Sequence, residues 1–126
     1  MTNITLLDGS IGQEIVKRSG SRATPLWSTS VMMEQPEVVR AVHLDYFNAG
    51  ATIATMNSYA IWPDRLERVG LANEHPHLLD TAAAEAVAAR AAFGSGRIPA
   101  SLGPPRASYP PELPTPLAAA AAASRH

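Results

Sequence analysis

A chain of 126 residues has the length of a single domain and enough material to bury a core. Its 46% hydrophobic and 17% charged residues describe a globular sequence and exclude a disordered one. Ten basic against eleven acidic side chains leave a net charge of −1, without the basic excess that a nucleic-acid or anionic-membrane partner selects.

Taken in chain order, residues 4–7 form a short apolar strand closed by the turn signal Asp8-Gly9. Residues 11–18 follow as a short helix, with Lys17 and Arg18 in its last turn and Gly20 beyond. A polar stretch, residues 19–24, leads into Pro25-Leu26-Trp27. The clearest helix starts at Pro36, which suits a first helical position. Glu37 favours the positive helix end, and Gly50 stands where a left-handed cap is expected. Val39, Val42, Tyr46 and Ala49, widened by Val38, make its apolar face, and His43 and Asp45 fall on its polar one. Residues 51–55 are too short and too β-branched for another helix and are read as a strand. Residues 57–63 make a loop. A long helix is expected over residues 76–93, with Leu79, Ala82, Ala83, Ala86 and Phe93 inward and Gly94 after it. A third strand over 97–102 is weakened by Pro99, which has no N–H to donate.

Strand starts near 4, 51 and 97 imply a β/α period of roughly 45 residues. Two such units plus a strand are present, and since a closed (β/α)₈ barrel typically takes ~250 residues, this length cannot close one. Seven of the eleven prolines lie between Pro99 and Pro116, and six alanines (118–123) precede Ser124-Arg125-His126. That proline content rules out a regular helix or central strand there, and residues 114–126 are expected as a Pro/Ala-rich, low-complexity tail.

No apolar run approaches the ~20 residues that span a bilayer, and the start Met1-Thr2-Asn3 has neither the charged nor the apolar stretch of a secretory leader. No membrane partner and a cytoplasmic setting are expected. Loops at the C-terminal ends of strands build active sites in β/α architectures. Asp8 after the first strand could therefore bind an amine or serve as an acid/base, with Gly9 allowing close approach of a ligand. A turn aspartate serving only its own backbone is the competing reading. Asn57, Ser58 and Tyr59 after the second strand, and Ser101-Leu102-Gly103-Pro104 after the third, raise the same alternatives. Trp27 fits either a pocket wall or a plain cover of the barrel mouth. His75-Pro76-His77 reads as a helix entrance, since no third metal ligand has recognisable spacing. An aspartyl-phosphate mechanism also begins with a strand ending in Asp, but it needs an acidic residue two positions on, where this chain has Ser10.

An ordered series of motifs resembles the homocysteine S-methyltransferases. Leu6-Leu7-Asp8-Gly9-Ser10-Ile11-Gly12 is similar to their opening strand and loop. Leu26-Trp27-Ser28 follows, and then a helix running from Gln35-Pro36-Glu37-Val38-Val39-Arg40 to Asn48-Ala49-Gly50-Ala51. Thr55-Met56-Asn57-Ser58-Tyr59 resembles a Thr-Asn-Thr-aromatic strand end, with Met56 in place of a usual threonine. Ser101-Leu102-Gly103-Pro104 resembles the third-strand Gly-Pro. The resemblance covers about residues 4–113 and implies that residues 1–113 are a partial barrel domain, the N-terminal part (about two and a half β/α units) of a (β/α)₈ TIM barrel. It implies a zinc-dependent transfer of a methyl group to the homocysteine thiol in methionine synthesis, from a donor such as S-methylmethionine, betaine or a methylated folate. It also implies that Asp8 and Gly9 grip the amino-acid end of homocysteine, with Trp27 and Asn57 around the pocket. Three cysteine thiolates from later barrel strands hold the zinc in that family. A chain without cysteine supplies none of them, so no metal site and no catalytic residue is expected in it. The expectation is thus a truncated methyltransferase, inactive alone, whose unpaired strands invite self-association. The alternative is a non-catalytic relic or interaction module.

Overall fold

The computed structural model describes residues 3–20, 22 and 24–103. The low-complexity segment 114–126, and Pro104 of the third loop, lie outside the described residues.

Helix α1 spans Ile11–Ser19, with Glu14 in its first turn and Lys17 and Arg18 in its last, each favourable to the helix dipole. Gly20, at φ 68°, ends it in the left-handed conformation that glycine adopts without a side-chain clash. Helix α3 spans Pro36–Asn48 and begins as the sequence predicts, with Pro36 in the first turn and Glu37 beside it. Its buried residues are Val39, Val42, His43 and Phe47, so the apolar face is rotated from the expected one. Tyr46 and Val38 are half-buried and Ala49 is exposed. Residues 39, 42, 43 and 47 share one helical stripe. A sequence reading that prizes apolar residues passes over the histidine inside that stripe.

Helix α5, His75–Phe93, matches the expected long helix to within a residue and ends at Gly94, φ 103°. Its buried face is Leu78, Ala82, Glu85, Ala86 and Ala89. Ala82 and Ala86 agree with expectation. Leu79 and Ala83 are only half-buried, and Phe93 is exposed, its ring stacked on Phe47 at 5.4 Å. An alanine-rich helix offers little contrast between faces, so its facing is settled by the helix it packs against, here chiefly α3. Two elements were not predicted. Helix α2, Ser28–Glu34, buries Val31 and Met32 together with two hydroxyl residues, Ser28 and Thr29. Helix α4, Pro63–Glu67, is a single turn and a half followed by a 3₁₀ turn at Ala72–Glu74.

Three extended segments punctuate these helices, centred on Leu7, Ile53 and Arg97. Leu7 pairs with Ile53, and Ile53 with Arg97, both in parallel. The amide of Thr52 donates to Leu6 O (2.9 Å) and that of Asp8 to Ile53 O (3.1 Å). Ala54 N–H donates to Arg97 O (3.0 Å) and Met56 N–H to Pro99 O (2.9 Å). Pro99 donates nothing but accepts, which is how a proline fits at this edge. Among the described residues these pairings remain isolated bridges and do not extend into ladders long enough to be strands. The order is segment, helices, segment, helices, segment: two β/α units and the start of a third.

The main core gathers Ile15 of α1, Val31 and Met32 of α2, Val39 and Val42 of α3, Ile61, Leu66 of α4, and Leu78 and Ala82 of α5. Each large aliphatic side chain fully buried there contributes roughly 1.5–3 kcal/mol. A smaller cluster of Phe47, Ala54 and Ala89 ties the second segment to α3 and α5. The first segment is different: Ile4 is 78%, Leu6 50% and Leu7 59% exposed.

Candidate functional site

The C-terminal ends of the three segments converge on one cleft of about 420 Å³. Asp8 and Gly9 enter from the first, Thr55, Met56 and Asn57 from the second, and Ser101 from the third. Trp27, Ser28 and Tyr59 close its sides. The four residues singled out from sequence (Asp8, Gly9, Trp27, Asn57) are therefore brought together, although 49 positions separate the first from the last.

Among the described residues, the Asp8 carboxylate is held by a single one, Thr55. Its Oδ2 accepts the backbone N–H of Thr55 at 2.7 Å and its Oδ1 accepts the Thr55 hydroxyl at 3.0 Å. An ionised carboxylate has about four acceptor positions. Two face Thr55 and the others remain for a donor in the cleft. Gly9 has a role the sequence reading did not give it: a Cβ there would come within 2.8 Å of the Tyr46 hydroxyl oxygen, so α3 presses close behind the loop. Trp27 is 58% exposed and takes φ 49°, making it the one non-glycine residue with positive φ among the described residues. A bulky side chain there costs on the order of 1–3 kcal/mol and is a conformation found preferentially at functional sites.

Asn57 is buried rather than presented. Its Oδ1 accepts the Ser28 hydroxyl at 2.7 Å, and its Nδ2 faces Ser28 O at 3.4 Å and Met32 Sδ at 3.8 Å. It pins the start of α2, and with it the neighbouring Trp27, to the end of the second segment. Ser58 is fully buried: its hydroxyl donates to Ser101 O (2.7 Å) and accepts Ser101 N–H (3.0 Å), joining the second and third segment ends. Tyr59 is exposed at the rim, with the Arg65 guanidinium 5.8 Å from its ring centre.

Sequence reasoning missed Thr55 and Ser28 as members of this cleft. Strand parity was the available signal for Thr55. Ala54 and Met56 donate to the third segment, so the amide between them points the other way, toward Asp8. For Ser28 the local sequence held none, because its partner is 29 residues away.

His43, assigned from sequence to a polar face, is instead fully buried, and neither ring nitrogen has a hydrogen-bond partner. Burial pushes its pKa below the usual histidine value, opposed by the negative charges of Asp8 and Glu85. Glu85, itself buried, accepts from Arg40 Nε at 2.8 Å. Asp45 is exposed as expected and pairs with Arg18 at 2.7 Å. His75 opens α5, and partial burial lowers its pKa too. The three-thiolate zinc implied by the family resemblance does not fit the residues present. The chain has no cysteine, and among the described residues no three histidine or acidic side chains cluster to hold a metal. No helix among the described residues is long and apolar enough to cross a membrane.

Parallel-paired segments alternating with helices, with polar side chains gathered at the segments' C-terminal ends, make a β/α arrangement. The family model for homocysteine S-methyltransferase matches residues 5–125, and the chain belongs to that family. It is 44% identical over 69 residues to the homocysteine S-methyltransferase of Escherichia coli, covering 55% of this chain and 22% of that protein. It is 33% identical over 93 residues to the homocysteine S-methyltransferase YbgG of Bacillus subtilis, covering 73% and 30%. Its fold superposes on the crystal structure of the metallated homocysteine methyltransferase MmuM from Escherichia coli with a TM-score of 0.74 and 35% identity, over 82% of this chain and 38% of that one. The chain thus spans about a quarter of the curated relatives it matches.

Proposed function

We propose that this chain forms the first two and a half units of a (β/α)₈ barrel and supplies the part of its mouth that grips homocysteine during methyl transfer to the thiol, as in methionine synthesis. Membership of the family supports the substrate class. In such a transfer the homocysteine thiol loses its proton to solvent, and its sulfur bonds to the methyl carbon as the donor's bond to that carbon breaks, the electron pair leaving with the donor. Zinc thiolate chemistry at the sulfur would come from outside these residues, and the part played here is binding and orientation. The observation that carries the reading is the Asp8 carboxylate, anchored by Thr55 at the cleft mouth with acceptor positions left over for an ammonium group. Gly9 and Trp27 would shape the walls around the amino acid. Asn57 would act chiefly by fixing α2.

The test is a chimera of residues 1–113 with the remaining barrel of the Escherichia coli relative. Asp8→Ala should remove a charge-assisted contact worth roughly 1.5–3 kcal/mol, and so lower kcat/KM for homocysteine by about ten- to a hundredfold. Metal content should not change. Asp80→Ala, exposed on α5, is the control. Equal kinetics for the two variants would reduce Asp8 to a turn residue.

A second reading, an association module, is favoured by one observation: the apolar first segment is left largely exposed. Such an edge can pair with another copy of the chain.

A further inference from the structure

The two anchors on Asp8 are not equivalent. The Thr55 N–H belongs to the backbone and is present whatever residue other than proline stands at 55. It points toward the first segment because Ala54 and Met56, on either side, send theirs to the third. The Asp8 carboxylate thus takes the place of the next backbone carbonyl and ends the pairing between the first two segments. That contact holds one carboxylate oxygen and leaves the plane of the group free to tilt about it. The hydroxyl contact at 3.0 Å removes this freedom, and only serine or threonine at position 55 supplies it. A carboxylate fixed in plane keeps its unused lone pairs aimed into the cleft before a ligand arrives, so less orientational freedom is lost on binding.

We infer that Thr55 is the positioning residue that sets the orientation of Asp8, and through it the selectivity of the cleft for the α-ammonium group of its amino-acid ligand. The inference rests on the reading of Asp8 as the ammonium acceptor. Thr55 acts through Asp8 and need not touch the ligand.

The experiment uses the full 126-residue chain and two probes, L-homocysteine and 4-mercaptobutyrate, which differ only by the amino group. Affinities are measured by calorimetry under reducing conditions, with circular dichroism checking each variant's fold. The wild-type chain should prefer homocysteine by about tenfold or more, and Asp8→Ala should abolish the preference. Thr55→Val, which keeps shape and backbone but loses the hydroxyl, should lose most of that preference with little change for 4-mercaptobutyrate. Thr55→Ser should retain it. Thr55→Ala replaces the valine variant if that does not fold. If wild type prefers homocysteine and Asp8→Ala does not, while Thr55→Val and Thr55→Ala keep the preference, this inference falls and the reading of Asp8 stands. Loss of the preference in Thr55→Ser as well would also overturn it, since the hydroxyl would not be the agent. A wild-type chain blind to the amino group overturns both.

Discussion

A histidine sealed among α3, α5 and the Asp8 loop with no hydrogen-bond partner is costly wherever the ring carries charge. Burial disfavours the charged form of folded His43 and lowers its pKa below the value of about 6.5 that the unfolded chain retains; Asp8 and Glu85, the latter paired with Arg40, oppose but do not reverse this. As pH falls through 6.5 the unfolded state takes up the proton first, so stability drops down to the lower folded pKa and is unaffected above pH 7. His75, also lowered by burial, adds an effect of the same sign. Urea titrations at pH 7.5 and 5 should show this loss for the wild-type chain and a much weaker one for His43→Leu. At neutral pH the leucine variant should be at least as stable, because two unpaired buried polar atoms, each costing roughly 1–3 kcal/mol, are removed. A wild-type chain equally stable at both pH values would contradict the burial of this ring.

Helix α2 has only seven residues, too few to persist alone, so its place depends on packing and on the Asn57–Ser28 contact. Removing either partner leaves the other buried and unpaired. Asn57→Ala and Ser28→Ala should each destabilise by about 1–3 kcal/mol. The double variant should cost less than the sum, with a coupling of about 1 kcal/mol in denaturant unfolding. Strict additivity would mean that the two side chains do not hold each other. By contrast, the exposed pair of Arg18 with Glu14 (3.0 Å) and Asp45 belongs to a class worth at most about 1 kcal/mol, and α1 leans mainly on Ile15.

Across the whole molecule, the helices cover the middle segment well and the first poorly. Ala54 is fully buried, whereas Ile4, Leu6 and Leu7 stand exposed and Leu102 is 61% exposed after the third segment. A parallel sheet is stable when both faces and edges are covered, and apolar edges left open tend to pair with other chains. Analytical ultracentrifugation should therefore show concentration-dependent self-association of the isolated chain. Ile4→Lys/Leu6→Lys, which places two charges on that edge, should weaken it about tenfold or more at unchanged helix content. A wild-type chain that stays monomeric at high concentration would remove the association reading.

What the sequence determined by itself is local or ordered along the chain. Proline and acidic residues at helix starts and glycines past helix ends placed α1, α3 and α5 to within a residue or two, because capping depends on near neighbours. The Asp8-Gly9 turn and the succession of motifs up to Gly103 carried the β/α plan and the family for the same reason. What only the tertiary structure decided involves partners 25 to 47 positions apart: the Thr55 anchor on Asp8, the Asn57 contacts with Ser28 and Met32, and the Ser58–Ser101 link. It also turned α5 onto its Leu78 face and drew His43 inside. Periodicity states that a helix has an apolar side, but an alanine-rich helix or one carrying a histidine in its stripe has several nearly equal choices. Only the surface it packs against selects among them.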